Sequence, residues 1–286
     1  ILNSGTTNAF EIWDVSSTSP VRVSQSSIAV AGDAIVVQGR YAYLANGGTT
    51  NAFEVWDVAN VAAPIRVGQT SLNGAAFNMY IQGRYVYVVE SGTTNAFEIF
   101  DVSNPSAPVR VSQNTVNASA SAVYVQGDYA YIIDSTNFEI WNIANPASPN
   151  RVSVSTLNAG AGGIYIQGSN AYIVGQTTTN AFEIWNIANP VSPSRISQST
   201  LAQAGRGVYV QGRYAYILDQ SASGPFEIWD VSNTSAPIRV VQNNTNTTGS
   251  NNIIVQGRYA YVVGTGSASA FEIWDVGGAY ISQLEV

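Results

Sequence analysis

The chain has 286 residues and a net charge of −7, with 45% hydrophobic but only 10% charged residues. It contains no Cys and no His, which excludes disulfides, thiolate nucleophiles and the side chain most often used for acid–base catalysis and metal binding. All 11 basic residues are Arg, and the acidic balance argues against the clustered basic surface with which proteins bind nucleic acid.

A six-residue motif of the form Phe-Glu-Ile-Trp-Asp-Val recurs along the whole chain. Its seven copies are Phe10–Val15, Phe53–Val58, Phe97–Val102, Phe138–Ile143, Phe182–Ile187, Phe226–Val231 and Phe271–Val276. Successive copies begin 41 to 45 residues apart. Self-similarity at a fixed period of this length is the signature of a repeat architecture, and it overrides the domain count that length alone would suggest.

Each repeat contains four short runs rich in Val, Ile, Tyr and Phe, the composition typical of β-strands. In one complete repeat these runs, which we name strands A to D, are Met79–Gln82, Tyr85–Val89, Phe97–Val102 and Val109–Gln113. The Gln-Gly-Arg sequence between A and B predicts a tight hairpin turn, because Gly accepts a positive φ angle. The prolines between C and D forbid a helix there, and no segment has the period of an amphipathic helix.

Four antiparallel strands in every repeat are typical of a propeller blade. Both faces of strand C are rich in apolar residues, so both must be covered, and stacking blades against one another covers them. We therefore predict an all-β, seven-bladed β-propeller of four-stranded antiparallel blades, with the first blade incomplete. The predicted single domain, residues 1–286, divides into a partial blade at 1–33 and blades at 34–76, 77–121, 122–162, 163–206, 207–251 and 252–286.

The two ends of the chain and its hydropathy give two further expectations. Ile1 falls in the middle of a repeat, so we expect the natural chain to carry upstream residues. The stretch Tyr280–Val286 stands in the register of a last strand D. No apolar run approaches the ~20 residues that a membrane-spanning helix needs, so we expect no membrane span in this segment.

The repeat resembles a known family. Tyr-Ala-Tyr in strand B, followed by Phe-Glu-Ile-Trp-Asp-Val-Ser-Asn-Pro-Ser-Ala-Pro, is similar to the LVIVD repeat of bacterial and archaeal cell-surface proteins. Phe10–Asp14 falls on the five residues that name the family, with a Glu at the second position and a Trp at the fourth. The resemblance implies a β-propeller and a surface location, and it carries no catalytic signature. Likeness to WD40 repeats is at the level of the fold only.

The charged residues of the motif are predicted to stabilise the blades. A catalytic residue is needed once, whereas the strand-C Glu recurs in all seven repeats. We predict that each Glu pairs with the strand-D Arg of its own blade, as a partly exposed ion pair contributing about 0–1 kcal/mol. The Asp or Asn that follows in strand C is predicted to cap the next turn. The repeated aromatic residues favour a core between blades over a sugar-stacking platform.

Function is better sought in charged residues that do not repeat. Glu90, Asp134 and Asp219 end strands B, while Asp33 and Arg206 lie near the loops between blades. These five residues are the candidate binding residues, on the rim formed by the B–C and D–A loops. The acids offer hard oxygen ligands for Ca²⁺, or they are solvated loop residues; both interpretations remain open.

These observations predict a non-enzymatic scaffold. We expect an extracellular or cell-surface β-propeller that serves adhesion, protein or glycan interaction, or surface assembly through its rim loops. No catalytic residue and no cofactor other than Ca²⁺ is expected, and neither is nucleic-acid binding. The alternative is a hydrolase-type enzyme or a Ca²⁺-dependent binder whose site, at the mouth of the propeller channel, is built from the non-repeated acids.

Overall fold

The structure is a computed structural model that describes residues 1–277 apart from 4, 18, 93, 95, 221–224, 246–249 and 265–270. These described residues form 25 β-strands and no helix. Accordingly, no helix long and apolar enough to cross a membrane is found among them.

The strands pair in chain order into antiparallel sheets. The first sheet has two strands, β1 (Phe10–Asp14) and β2 (Val21–Ser26). Three four-stranded sheets follow: β3 (Gly32–Gln38), β4 (Tyr41–Asn46), β5 (Phe53–Asp57) and β6 (Ile65–Thr70); β7 (Ala76–Gln82), β8 (Tyr85–Glu90), β9 (Phe97–Asp101) and β10 (Val109–Asn114); β11 (Ala120–Gln126), β12 (Tyr129–Asp134), β13 (Asn137–Asn142) and β14 (Asn150–Thr156).

Two more sheets have four strands and the last has three. They are β15 (Ala161–Gln167), β16 (Asn170–Gly175), β17 (Phe182–Asn186) and β18 (Ser194–Ser199); β19 (Gly205–Gln211), β20 (Tyr214–Asp219), β21 (Pro225–Asp230) and β22 (Ile238–Asn244); β23 (Ser250–Gln256), β24 (Tyr259–Gly264) and β25 (Phe271–Asp275). The predicted last strand D, Tyr280–Val286, lies outside the described residues.

The fold is an all-β propeller of four-stranded antiparallel blades, as predicted, but the predicted number of seven blades is wrong. The described residues form six blades: five complete sheets and the three-stranded sheet β23–β25. The prediction counted copies of the strand-C motif. The first copy lies in β1, which pairs with β2 and, through a single bridge, with Leu2, and this sheet does not form a four-stranded blade.

The chain divides into two compact units. One comprises Ile1–Ser135 with Glu139–Val154, and the other Thr136–Phe138 with Ser155–Val286. Within the first unit, β7 lies against both β3 and β11. Within the second, β19 lies against both β15 and β23. In each unit, strands A of successive blades are therefore neighbours, as blade stacking requires.

Strand A is longer than the sequence predicted. In the blade β7–β10 it begins at Ala76 rather than Met79, because the ladder continues past a β-bulge and pairs Ala76 with Glu90. The same bulge occurs after the first residue of every strand A. The predicted hairpin turn is confirmed: the Gly of each A–B turn has a φ between 60° and 63°. Strand A therefore begins before the bulge, opposite the last residue of strand B.

Aromatic pairs fill the space between blades, as predicted. The Phe of one strand C packs against the Trp of the next strand C, with ring centroids 5.4 to 5.7 Å apart. The pairs are Phe10–Trp56, Phe97–Trp141, Phe138–Trp185, Phe182–Trp229 and Phe226–Trp274. Phe100 stands where the other motifs have Trp, and it stacks on Phe53 at 4.8 Å. The motif therefore supplies both rings of each of these six contacts.

Candidate functional site

The strand-C Glu lies at the centre of a buried network. Glu183 accepts a hydrogen bond from Trp185 Nε1 at 2.9 Å and pairs with Arg195 at 3.2 Å. Its other oxygen accepts the backbone N–H of Asn158, at 2.6 Å, from the loop that leads into the blade. The carboxylate therefore joins two strands of its own blade to the connection from the preceding blade.

This network confirms the predicted pairing of Glu with the strand-D Arg. The six pairs, with N–O distances of 2.7 to 3.5 Å, are Arg22–Glu11, Arg66–Glu54, Arg110–Glu98, Arg151–Glu139, Arg195–Glu183 and Arg239–Glu227. The prediction that these pairs are partly exposed is wrong for the Glu side chains, because all of them except the first are buried. Removing one partner of such a pair leaves a buried charge or buried donors without a partner, which costs more than a surface pair contributes.

The strand-C Asp or Asn caps the following turn, as predicted. Asp101 Oδ1 accepts the N–H of Ser103 at 2.9 Å, and all seven copies of the motif make the equivalent bond. Sequence reasoning missed a second role. Where the residue is Asp, the Arg of the A–B turn pairs with it in four blades: Arg40–Asp57, Arg84–Asp101, Arg213–Asp230 and Arg258–Asp275.

A signal for these pairs was present in the sequence. The two blades with Asn142 and Asn186 in strand C have Asp128 and Ser169 in the A–B turn, where the other blades have Arg. In the six blades that have an A–B turn, strand C therefore carries Asp only where that turn carries Arg. Hydrogen bonds from Arg213 and Ser232 lower the pKa of Asp230, and those from Arg258 and Gly277 lower the pKa of Asp275.

Three of the predicted site residues lie at one structural position, the end of strand B. Glu90, Asp134 and Asp219 pair across the sheet with the first residue of strand A, and each is 0% exposed. They are therefore not solvated loop acids. The loops leading into the blades fold over them: Asp134 accepts the N–H of Ala118 at 2.6 Å, and Asp219 accepts that of Gln203 at 3.2 Å.

These buried acids lie beside the repeated Glu of the same blade. Burial, followed by the neighbouring Glu98, raises the pKa of Glu90 to about 9. Burial, followed by the charge of Glu227, raises the pKa of Asp219 to about 8. Asn46 stands at the same position in the blade β3–β6, and its Nδ2 donates to Glu54 at 3.3 Å. In that blade the position therefore holds a side chain that donates to the Glu.

The structure does not bring the four candidate acids together as a metal centre. Among the described residues, no group of three or more potential metal-ligating side chains is found. Asp33 is exposed, with its carboxylate against Gly47, and the resulting partial burial raises the pKa of Asp33. The arrangement gives no support to the Ca²⁺ interpretation.

Asp33 and Arg206 share a second position, the bulged residue of strand A. This residue has no partner in the ladder, and it differs in every blade: Asp33, Phe77, Ser121, Gly162, Arg206 and Asn251. Asp33 and Phe77 are exposed, and Arg206 is half-buried with no carboxylate within 4.0 Å in the described part of the chain. Bulges re-aim side chains, often next to functional sites.

The bulged residues of each unit form the candidate functional site. In the first unit they are Asp33, Phe77 and Ser121, on the three neighbouring strands β3, β7 and β11. The second unit has Gly162, Arg206 and Asn251 on β15, β19 and β23. The side chains of Asp33, Phe77, Ser121 and Arg206 carry a carboxylate, a phenyl ring, a hydroxyl and a guanidinium, which are groups that can contact a binding partner.

Repeated blades with buried charge networks and one variable displayed position define a repeat propeller. The LVIVD repeat model matches residues 30–71, 73–115, 118–156 and 204–245, more than half of the chain. The protein belongs to the LVIVD repeat family.

Solved structures with the same fold share little sequence with this chain. A periplasmic gluconolactonase of Pseudomonas aeruginosa is 12% identical, with a TM-score of 0.82 over 99% of this chain and 93% of its own. A Lactobacillus plantarum protein is 11% identical, with the same score and coverage. A putative 6-phosphogluconolactonase of Bacteroides fragilis is 12% identical, with a TM-score of 0.80 over 96% and 88%. At such identities the likeness shows the fold alone. No curated protein matches the sequence.

Proposed function

We propose that this protein is a non-enzymatic, extracellular or cell-surface scaffold that binds a protein or glycan partner through the bulged residues of strands A and the adjoining loops. The observation that carries the proposal is the variation at the bulge. Motif positions that repeat from blade to blade hold the blades together, whereas this position changes in all six blades. Variation on a rigid repeated scaffold is typical of a recognition surface.

The pairing and burial of the charged side chains support the same proposal. Ten Arg side chains pair with a Glu or Asp of their own blade. Glu90, Asp134 and Asp219, the acids first considered for an enzyme site, are buried away from any substrate. The rim loops carry mostly Ser, Thr, Asn and Ala, which suits an uncharged partner, such as a glycan or another protein.

The rim loops are also held in place, as a recognition surface requires. In the blade β7–β10 the N–H of Ser91, in the B–C loop, donates to the carbonyl of Ala75, in the loop leading into the blade. Gly47 and Ala31 form the same bond in the blade β3–β6, and Gln220 and Ala204 form it in the blade β19–β22. Preorganised loops lose little entropy on binding.

A binding experiment tests the proposal. The purified protein is applied to a printed array of neutral oligosaccharides and to intact cells of the source organism, and the strongest ligand is titrated. Phe77→Ala is expected to weaken that binding at least tenfold, because the Phe77 ring is 49% exposed at the bulge. Val37→Ala is the matched control, since Val37 is 59% exposed at the far end of a strand A.

Two outcomes would contradict the proposal. Equal losses for Phe77→Ala and Val37→Ala would remove the bulge from the binding site. Turnover of gluconolactone by the purified protein, abolished by a substitution at the bulge, would favour the enzyme alternative instead. Antibody labelling of intact cells, compared with permeabilised cells, tests the surface location separately.

A further inference from the structure

Two of the buried acid pairs have more acceptor oxygens than donors. Both oxygens of Glu90, one oxygen of Glu98 (Oε2) and one of Asp219 (Oδ1) receive no hydrogen bond in the described part of the chain. All three residues are 0% exposed. An unsatisfied buried carboxylate is costly, and a neutral carboxylic acid that donates to its neighbour removes the cost.

The blade β7–β10 shows why its pair lacks a donor. In the other blades the strand-C Trp donates Nε1 to Oε2 of the Glu, as Trp229 does to Glu227 at 2.8 Å. Phe100 replaces that Trp, so Glu98 Oε2 receives no indole hydrogen bond. The carboxyl group of Glu90 is buried beside Glu98 in the same blade and can supply the missing proton.

The blade β3–β6 shows what group fits this position. Asn46 occupies the place of Glu90 and Asp219, and its amide donates to Glu54. A protonated carboxyl group has nearly the shape of an amide and can make the same donation. The blades β15–β18 and β23–β25 have Gly175 and Gly264 at this position. Where a polar side chain stands beside the Glu, a protonated acid can make the donation that the amide of Asn46 makes.

We propose that the Glu90–Glu98 and Asp219–Glu227 pairs each bind one proton at neutral pH and share it as a hydrogen bond between a carboxylic acid and a carboxylate. This proton ties the end of strand B to strand C beneath the loop that leads into the blade. Its loss places a second negative charge in a site closed to water. The shared protons therefore favour the folded state most at acidic pH, and their contribution to stability falls steadily as the pH rises toward the alkaline range.

The groups facing each pair agree with this assignment. Glu98 is already neutralised by Arg110 at 2.9 Å and accepts Gln113 Nε2 at 2.7 Å, so Glu90 is the group without a counter-charge. The N–H groups of Asn73 and Gly74 face Glu90 and oppose the rise of its pKa. Around the other pair, Arg239 lies 3.5 Å from Glu227, and Gln203 donates to Asp219.

The sign of the pH dependence follows from linkage. Folding raises the pKa of Glu90 to about 9 and that of Asp219 to about 8, so the folded state binds more protons than the unfolded state between about pH 4 and those values. Stability therefore falls as pH rises through this window. The unfolding equilibrium constant rises up to about tenfold per pH unit for each pair.

The test combines unfolding with infrared spectroscopy on the full chain. Urea unfolding of the wild type between pH 5 and 9 is expected to show falling stability, and Glu90→Gln with Asp219→Asn should flatten that slope, because amides donate at every pH. Asp128→Asn, at an exposed turn, should keep the wild-type slope. The infrared difference between wild type and double variant at pH 7 should contain a protonated-carboxyl C=O band.

Equal pH slopes in the wild type and the double variant would overturn the proposal. So would the absence of a protonated-carboxyl band in the wild type at pH 7. If the double variant fails to fold, the single variants are each expected to remove part of the slope. The infrared spectrum of the wild type at pH 7, compared with pH 10, tests the proposal without any substitution.

Discussion

At the residue scale, the carboxylate of the repeated strand-C Glu serves several partners at once. The repeated Glu accepts hydrogen bonds from an indole and a backbone N–H and forms an ion pair with a guanidinium, as Glu227 does with Trp229, Ala202 and Arg239. The sequence predicted the Arg, because Glu and Arg recur with the same period. It did not predict the bond from the indole of the Trp two residues along the same strand. It also did not predict the bond from the backbone N–H, which belongs to the loop that precedes the blade.

Trp229→Phe tests the indole bond. The substitution keeps most of the apolar ring but leaves Oε2 of the buried Glu227 without that donor, so we expect a loss of about 1–3 kcal/mol in the free energy of unfolding. Equilibrium urea unfolding measures it. Trp13→Phe is the control, because Glu11 is partly exposed and water can replace the indole. A loss as large for Trp13→Phe as for Trp229→Phe would contradict the explanation.

At the element scale, the hairpin of strands A and B and the turn after strand C are coupled. A Gly with positive φ closes each A–B turn, and in four blades the neighbouring Arg reaches the Asp that caps the turn after strand C. The hairpin was predictable from Gln-Gly-Arg, since only the local sequence decides it. The bulge in strand A was not predictable, because it depends on the register against strand B.

Gly83→Ala should destabilise the protein by about 1–2 kcal/mol, because φ at this position is 61° and Ala is strained there. No other atom lies within 4 Å of the added methyl group, so the cost is conformational. Gly5→Ala is the matched control: its methyl group also meets open space, and φ is not in the left-handed region. Urea unfolding that finds both variants equally stable would contradict the assignment.

The Asp–Arg correlation between the two turns can be tested by a double-mutant cycle. Asn142→Asp places a carboxylate in a blade whose A–B turn carries Asp128, so it should destabilise slightly. Asp128→Arg should reverse the effect, with a coupling energy of about 0.2–1 kcal/mol at low salt. Urea unfolding of the four proteins measures the coupling. A coupling energy of zero would mean that the correlation has no energetic basis.

At the scale of the whole molecule, the period of the sequence predicted the propeller and its blade-to-blade core. The number of blades was overestimated, because a motif count does not tell a lone strand pair from a blade. The burial of Glu90 was also missed. Glu90 lies between an apolar strand and a polar loop in sequence, and it is buried by residues 73 and 74 of the connection from the preceding blade.

Blade stacking predicts that damage stays local. Phe182→Ala removes a buried ring that packs on Trp229, and we expect a loss of about 3–5 kcal/mol. Hydrogen exchange followed by mass spectrometry should show reduced protection in β15–β22, with little change in β3–β6. A uniform loss of protection over both units would contradict a nearest-neighbour architecture.

The central claim is that the repeated acids hold the blades together. The most direct test is the unfolding free energy of Glu183→Gln, measured in urea at pH 7. We predict a loss of about 1–3 kcal/mol, because the amide removes the charge that pairs with Arg195 and keeps only one of the two acceptor oxygens that serve Trp185 and the N–H of Asn158. Functional carboxylates often cost stability, so a neutral or stabilising result would contradict the claim.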